Sequence, residues 1–368
     1  MKQTEEQKRN VGAYVKTAAL VLVLVAAITV TWMIAQPFVT RAERDRLDAV
    51  DASSALTEVV TEPEMADGSG AAGRTAIPES MSLRFDTPGW QHDSVGWWYA
   101  SDEKTHYING WVTIDDQEYH FNSRGYMDTG WTVIGGRGCY FDESGIYDRD
   151  ADSGKLIALT FDDGPGEYTG RLLEILAQND ARATFFVLGA RVEQNGAELL
   201  PRMRELGCQI GNHSYDNPNM TEMETDDAIE QFERTDELIA QYTGGEKSTL
   251  VRFPYGNSTE ELKNRIGKPS IYWDFDSGDW LGTSAADLAQ LLVERLRGGN
   301  IVLMRDTLQA SVDAVEIALP QLIDAGYQFV TVEELAAARG YRLESGVTYY
   351  GFSDADIEAG HVSDKDSA

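Results

Sequence analysis

The C-terminal half of this chain predicts an α/β fold, either a parallel (β/α) barrel or an open doubly wound sheet. Three observations lead there. From about Lys155 onward, seven apolar strand-like runs ("LIALTF", "ATFFVLG", "CQIGNHS", "TLVRFPY", "SIYWDFD", "NIVLMRD" and "YQFVTV") are each bounded by polar or glycine turns. Helical stretches with an apolar face, such as "TGRLLEILAQ", "DDAIEQFERTDELIAQY" and "AADLAQLLVERL", lie between most of them, the alternation of a sheet covered by crossover helices. The runs also end in acidic, basic or imidazole residues, and such folds collect function at the C-terminal ends of their strands.

Ahead of that domain the chain is built differently. It has 368 residues, enough for two or more domains, and a formal net charge of −30. That balance excludes nucleic-acid binding, which needs clustered Lys and Arg to displace counterions. The two cysteines, Cys139 and Cys208, fall in different segments without metal-type spacing, so they read as free buried thiols, and a disulfide-stapled secreted scaffold is excluded. Residues 1–16 form a short tail, expected on the cytoplasmic side. Residues 17–40 carry no charge and centre on "AALVLVLVAAITVTWMIA". At ~1.5 Å per residue this run crosses a bilayer core of ~30 Å, and Trp32 stands near one end, where interfacial aromatics concentrate. A cleaved signal peptide is the alternative, but the run is long and Met33-Ile34-Ala35 is a poor small-x-small cleavage site. The expectation is an uncleaved signal anchor with the C-terminal region outside the cytoplasm. Residues 41–86 are acidic and rich in Ala, Gly, Ser and Thr, the composition of a flexible spacer.

Residues 87–148 show an internal repeat. Gly-Trp pairs stand at Gly89-Trp90, Gly110-Trp111 and Gly130-Trp131. Each unit reads as a short alternating strand, a Gly/Asp turn, an aromatic strand and a second turn, and such periodicity predicts a stack of hairpins. The units resemble the cell-wall-binding (choline-binding type) repeats of bacterial surface proteins, through the Gly-Trp pairs and the phrase "YMDTGW". The resemblance implies aromatic cages that hold a quaternary ammonium by cation–π attraction, with Trp90, Trp97, Trp98, Trp111, Tyr119, Trp131 and Tyr140 as the repeat aromatics. The hairpin phrase is kept best in Trp97-Trp98-Tyr99, and it becomes Glu118-Tyr119-His120-Phe121 and Gly138-Cys139-Tyr140-Phe141 in the next two units. Two readings stand: attachment to wall glycan, or a spacer whose aromatics are hairpin core.

In residues 149–340 the strand ends read in order. The first ends in Thr160-Phe161-Asp162-Asp163-Gly164-Pro165, the third in His213, the fourth in Arg252-Phe253-Pro254-Tyr255-Gly256. The fifth ends in Asp276-Ser277-Gly278-Asp279-Trp280 and the sixth in Leu303-Met304-Arg305-Asp306-Thr307. A lone strand-end histidine is either a metal ligand or a loop residue, and adjacent aspartates alone could be an Asx-rich turn. Together they place acidic, basic and imidazole groups on one rim. Residues 341–368 read as a loose acidic tail.

"TFDDGP", "HSYDN", "RFPYG", "DSGDW" and "LMRD", in this order, resemble the five motifs of NodB-type polysaccharide deacetylases. The resemblance implies a distorted (β/α) barrel that removes acetyl groups from N-acetylated sugars with a divalent metal, usually zinc. It implies Asp162 as general base, Asp163 and His213 as metal ligands and Arg252 as the group that orients the base. It further implies backbone near Pro254 and Tyr255 at the oxyanion, Asp279 tethering the acid at position 305, and Trp280 and Leu303 at the acetyl pocket. Such a metal polarises the amide carbonyl and lowers the pKa of its bound water, the base takes the water proton, and an acid protonates the leaving amine.

Two positions depart from the pattern. The third metal ligand, His in the family, is Asn217, whose oxygen is a harder and weaker donor for zinc than imidazole nitrogen. The acid His is Arg305, a guanidinium that stays protonated and cannot exchange the proton. The other histidines, His92, His106, His120 and His361, lie in the repeats or the tail. Arg305 is expected to pair with Asp279, and with Asp162 as a second partner. Two functions lead for a membrane-anchored surface protein whose partner is cell-wall or extracellular polysaccharide, with a purely structural surface role as the third. One is a glycan-binding descendant with catalysis weakened or lost. The other is an active metal-dependent deacetylase of N-acetylglucosamine-type sugars with an Asp163/His213/Asn217 site.

Overall fold

A computed structural model describes residues 58–61, 87–101 and 105–364. The expected membrane span, residues 17–40, lies outside the described residues, among which no helix is long and apolar enough to cross a membrane.

The three Gly-Trp pairs each open a strand. Gly89–His92 pairs with Trp97–Ala100, Gly110–Ile114 with Gln117–Phe121, and Gly130–Ile134 with Arg137–Phe141, all antiparallel. The last two hairpins close through the two-residue turns Asp115-Asp116 (φ 51° and 64°) and Gly135-Gly136 (φ 61° and 81°), the left-handed geometry whose twist matches that of the strands it joins. Within the expected spacer, Glu58–Thr61 forms a strand antiparallel to Thr105–Ile108, so that part of the spacer belongs to the first hairpin's sheet.

The third hairpin is welded to the following domain. Trp131 packs with Leu156, Val332 and Leu335 and donates Nε1–H to Gln328 Oε1 at 3.1 Å. A Cβ on Gly138 would lie 2.5 Å from backbone atoms of Ala338, so only glycine lets the hairpin meet the helix Val332–Ala338. That helix begins with a capping box, the Thr331 hydroxyl and the Glu334 carboxylate each accepting the other residue's N–H.

The α/β domain is organised around Leu156–Asp162, buried along its whole length, as expected of a strand covered on both faces. It pairs in parallel with Thr184–Val187 on one side and Ile301–Arg305 on the other. Thr184–Val187 continues to Gln209–Asn212, and Asn212 bridges to Val251, which bridges to Ser270. The fourth expected strand is thus reduced to one paired residue. The fifth, expected as continuous, divides: Ser270–Ile271 pairs with Thr348–Tyr349, whereas Phe275–Asp276 pairs with Ile301–Arg305. The two ends of this path are joined by the chain between Ile271 and Phe275 and not by a strand pairing. The register sets Asp162 beside Arg305 and Phe186, and Val187 beside Asn212, so the functional strand ends fall on one rim.

Residues 341–368 are not a loose tail as far as they are described. Thr348–Tyr349 adds a strand, Val347, Tyr349, Phe352 and Val362 are buried, and Lys263 Nζ reaches Asp364 at 2.6 Å. Apolar residues spaced through an acidic segment dock it, and composition alone conceals them.

Candidate active-site cleft

The rim is held by one buried cation. Arg252 is fully buried and spends its guanidinium on four acceptors: Asp162 Oδ1 (2.8 Å), Thr160 Oγ1 (2.7 Å), Ile271 O (2.8 Å) and Tyr272 O (2.9 Å). Its Cζ also lies 4.1 Å from the Phe186 ring centroid. Burial pulls the Arg252 pKa down, and the Asp162 charge opposes that shift. A guanidinium out of water persists when charge and hydrogen bonds are both matched, and here they are. Asp162 is consequently fixed, as expected for a group oriented by Arg252.

His213 follows Gln209–Asn212. Its Nδ1 lies 2.7 Å from Arg252 O, so Nδ1–H donates to that carbonyl and Nε2 is left as an acceptor. Nε2 is 3.7 Å from Asp162 Oδ2 and 3.8 Å from Asp163 Oδ1. Asp163, Ser214, Asn217 and Tyr255 all have φ between 59° and 76°, a left-handed conformation that costs such residues of order 1 kcal/mol or more and clusters at functional sites. The motif loop is tied to the helix Thr225–Tyr242, since Gln231 Oε1 accepts the backbone N–H groups of Tyr215 (2.9 Å) and Asp216 (3.2 Å). A Cβ on Gly164 would lie 2.2 Å from Asp306 Oδ2, so the loop after Asp163 closes only with glycine there. Asp306 itself is fully buried, accepts from the Thr169 hydroxyl at 2.5 Å, and is pushed up to about 7 by burial.

Arg305 fills the position of the expected acid. Its Nη1 donates to Asp279 Oδ1 at 2.8 Å, and its own N–H donates to Asp279 Oδ2 at 2.7 Å. Ser311 Oγ donates to the same Oδ2 at 2.7 Å. Desolvation opposes the Arg305 charge, but Asp279, Asp163 and Asp162 outweigh it and raise its pKa. The second partner differs from expectation: it is Asp163, with Oδ2 3.3 Å from Arg305 Nε. Asp162 is held by Arg252, whereas the left-handed backbone of Asp163 turns its carboxylate back over the rim.

As they stand, Asp163, His213 and Asn217 do not turn three donor atoms towards one point. Asp163 and His213 face each other, but Asn217 points Nδ2 at Asp163 Oδ1 (3.3 Å), and its Oδ1 is buried without a hydrogen-bond partner. The other Asp163 oxygen meets the Arg305 guanidinium. Burial raises the Asp163 pKa, with His213 the largest opposing influence. Among the described residues no group of three His, Cys, Asp or Glu is placed to hold a metal ion.

The remaining expected residues lie around this centre. Pro254–Gly256 forms a 3-10 turn in which Pro254 is buried, and Tyr255 donates its hydroxyl to Asn217 O at 3.3 Å. Tyr255 and Trp280 are 66% and 58% exposed, and Leu303 is buried in its strand, so Trp280 stands out on the surface. Thr160, Ser311, Gln231 and Asp306 complete the site without having been assigned roles from sequence. Thr160 and Asp306 carried a signal, as the first residue of "TFDDGP" and the residue after Arg305 in "LMRD". The repeat aromatics are largely hairpin core: Trp90 meets Tyr119 at 4.9 Å and Tyr99 at 5.2 Å, and Trp131 meets Tyr140 at 5.4 Å. Trp98 is buried, while Trp97 is exposed and lies 4.7 Å from the His92 ring.

Comparison with known proteins agrees with this geometry. Residues 149–287 match the family model for polysaccharide deacetylase, and residues 108–146 match that for choline-binding repeats. Over 206 residues the chain is 36% identical to the peptidoglycan-N-acetylglucosamine deacetylase PgdA of Listeria monocytogenes, covering 56% of this chain and 43% of the relative. The chain thus spans less than half of that relative's length. A peptidoglycan-N-acetylglucosamine deacetylase of Bacillus cereus is 34% identical over 193 residues, covering 49% of this chain and 70% of the relative. Among solved structures, a family 4 acetyl xylan esterase from Clostridium thermocellum in complex with a cobalt ion superposes with a TM-score of 0.51. It is 31% identical over 54% of this chain and 98% of that one. With the five motifs converging on one rim, the chain belongs to the polysaccharide deacetylase family.

Proposed function

We propose that this chain is a wall-facing member of the family that keeps the glycan cleft but lacks metal-dependent hydrolysis. The observation that carries the reading is Arg305. It is bonded to Asp279 where a proton-donating acid is needed, and it sets a positive charge on Asp163 where a metal ligand needs a free carboxylate. Arg252 and Asp162 retain a fixed geometry, and the exposed Tyr255 and Trp280 offer rings on which a sugar can stack. The parallel strand order, with Asn212, Val251 and Ser270 bridged in succession, supports a distorted (β/α) barrel for residues 149–340. In this reading residues 17–40 anchor the chain in the membrane, with the hairpins and cleft outside the cytoplasm against N-acetylated wall or extracellular polysaccharide.

A second reading is favoured by His213: its Nε2 is presented to both aspartates with the tautomer fixed, as in a metal-ligating imidazole. It is an active N-deacetylase holding a divalent metal, zinc or the cobalt of the Clostridium thermocellum relative, at Asp163, His213 and Asn217. One experiment separates the two. Metal content and acetate release from N-acetylglucosamine oligomers are measured for the wild type beside Asn217→His/Arg305→His. A wild type without metal or turnover that still binds the oligomer, with metal gained in the double variant, supports the proposal. Wild-type turnover equal to the variant's overturns it.

A further inference from the structure

The turn that carries Tyr255 is held by a residue outside the five motifs, Tyr272. Tyr272 stands where the segment 270–276 divides, and it offers a different group to each neighbour. Its N–H donates to Tyr349 O at 2.8 Å, and its O accepts from Arg252 Nη2 at 2.9 Å. Its hydroxyl donates to Gly256 O at 2.6 Å, and its ring meets that of Tyr350 edge-on at 5.6 Å. Burial raises the Tyr272 pKa, so the hydroxyl stays a donor. The carbonyl it holds belongs to a strained turn: Tyr255 and Gly256 are both left-handed (φ 59° and 69°), a conformation unfavourable for tyrosine. Two other side-chain ties of this turn are longer, Tyr255 Oη to Asn217 O at 3.3 Å and Asn257 Nδ2 to Asn219 Oδ1 at 3.4 Å.

We infer that Tyr272 is a positioning residue of the glycan cleft, given the binding role proposed above, and that docking of residues 347–364 sets through it the turn that presents Tyr255. The docked segment grips the rim from two directions. Thr348–Tyr349 pairs with Ser270–Ile271, immediately before Tyr272. At its far end Asp364 meets Lys263 Nζ at 2.6 Å, on the helix Glu260–Ile266 that follows the turn. Between these points the segment runs against Asp274, since a Cβ on Gly351 would lie 2.3 Å from Asp274 Oδ2. Val347, Tyr349 and Phe352 are buried, and the apolar surface they remove from water keeps the segment docked. All of it lies beyond residues 149–287, the part that matches the family model. A sugar that stacks on Tyr255 then meets a ring whose backbone is already fixed, so less ordering opposes binding.

The test is hydrogen exchange of the full-length chain in detergent, read by mass spectrometry, beside calorimetric titration with N-acetylglucosamine tetramer. Peptides carrying the Gly256 and Asn257 amides, which donate to Phe253 O and Pro254 O at 3.0 Å, report the turn. Tyr272→Phe removes the hydroxyl and leaves the backbone bonds to Tyr349 and Arg252. It is expected to speed exchange at the turn about fivefold, the worth of one hydrogen bond, and to weaken tetramer binding by a similar factor. Residues 347–352 and the helix Thr169–Gln178 should exchange as in wild type. Gly351→Ala, which pushes the segment off Asp274, is expected to speed exchange both in residues 347–352 and at the turn. Wild-type exchange at the turn in Tyr272→Phe overturns the inference, as does faster exchange throughout the domain. So does a turn left unmoved by Gly351→Ala, or a tetramer affinity that Tyr272→Phe leaves intact. If the wild type binds no tetramer, the functional reading above falls by itself, and the exchange pattern decides whether Tyr272 sets the turn.

Discussion

Arg305→Met tests whether the cation at the former acid position is part of the fold. In the wild type the Arg305 side chain is 23% exposed and that of Asp279 is fully buried. Breaking a buried ion pair from one side costs about 3–5 kcal/mol, because the remaining charge is stranded. Two features reduce this. Asp279 Oδ2 keeps the N–H of residue 305 and the Ser311 hydroxyl, both at 2.7 Å, and the partial exposure of Arg305 weakens the lost attraction. The expected loss is about 2–3 kcal/mol. Equilibrium urea unfolding of wild type, Arg305→Met, Asp279→Asn and the double variant gives the coupling directly. Because Asn leaves no stranded charge, the double variant should recover at least about 1 kcal/mol relative to additivity. A loss below about 0.5 kcal/mol with no coupling would place the pair among surface ion pairs and refute the reasoning.

Arg252→Lys should destabilise by about 3 kcal/mol or more, since one ammonium cannot serve four acceptors in the guanidinium's plane; urea unfolding and loss of oligomer binding check it. Gly138→Ala forces a Cβ into the backbone of Ala338, at 2.5 Å. Overpacking of this kind costs about 1–3 kcal/mol, and the linker around Asp150 should become sensitive to limited proteolysis while the cleft stays folded. For Asp274, burial pushes the carboxyl from 3.8 up to about 7. A raised folded-state pKa means its stability contribution is complete below about pH 4 and is lost as pH rises through about 7, by at most about 4 kcal/mol. Unfolding midpoints at pH 5 and pH 8 should differ in that direction, and Asp274→Asn should flatten the difference.

Legibility from sequence followed how local each determinant was. The Gly-Trp spacing marked the hairpin starts because a strand opening needs only its own residues and turn. The strand ends were legible because a charged group closing an apolar run is costly to bury unless a partner meets it. The fourth strand shrank to Val251 because "TLVRFPY" specifies extended backbone and not its pairing partner. The segment "SIYWDFD" divided because its two ends serve different neighbours. Ser311 and the role of Thr160 within "TFDDGP" were invisible, since a hydroxyl becomes a site residue only through an acceptor brought to it by topology, 142 positions away in the chain for Thr160 and Val302. The choice of Asp163 over Asp162 as partner of Arg305 turned on backbone handedness at a single residue, which the register does not encode. The docked segment after residue 341 was hidden by its own acidity.

The same substitution logic appears in both halves of the chain. In a choline-type cage the aromatics await an external cation. Here the His120 ring, with Nδ1 2.5 Å from Asp128 Oδ2, stands 5.4 Å from Trp111 and 6.3 Å from Phe141. Arg149 Cζ lies 5.4 Å from the Tyr147 centroid, and Tyr147 in turn packs 4.8 Å from Trp111. The protein's own basic side chains thus occupy the aromatic surface, as Arg305 occupies the carboxylates of the cleft. An internal guanidinium held by a carboxylate carries no binding entropy, so an external cation must overcome a contact already made. In the proposed reading the two departures share one physical consequence: an external cation competes at both places with a side chain already in contact. Recognition in that reading rests on surfaces left open, the exposed Tyr255 and Trp280 rings.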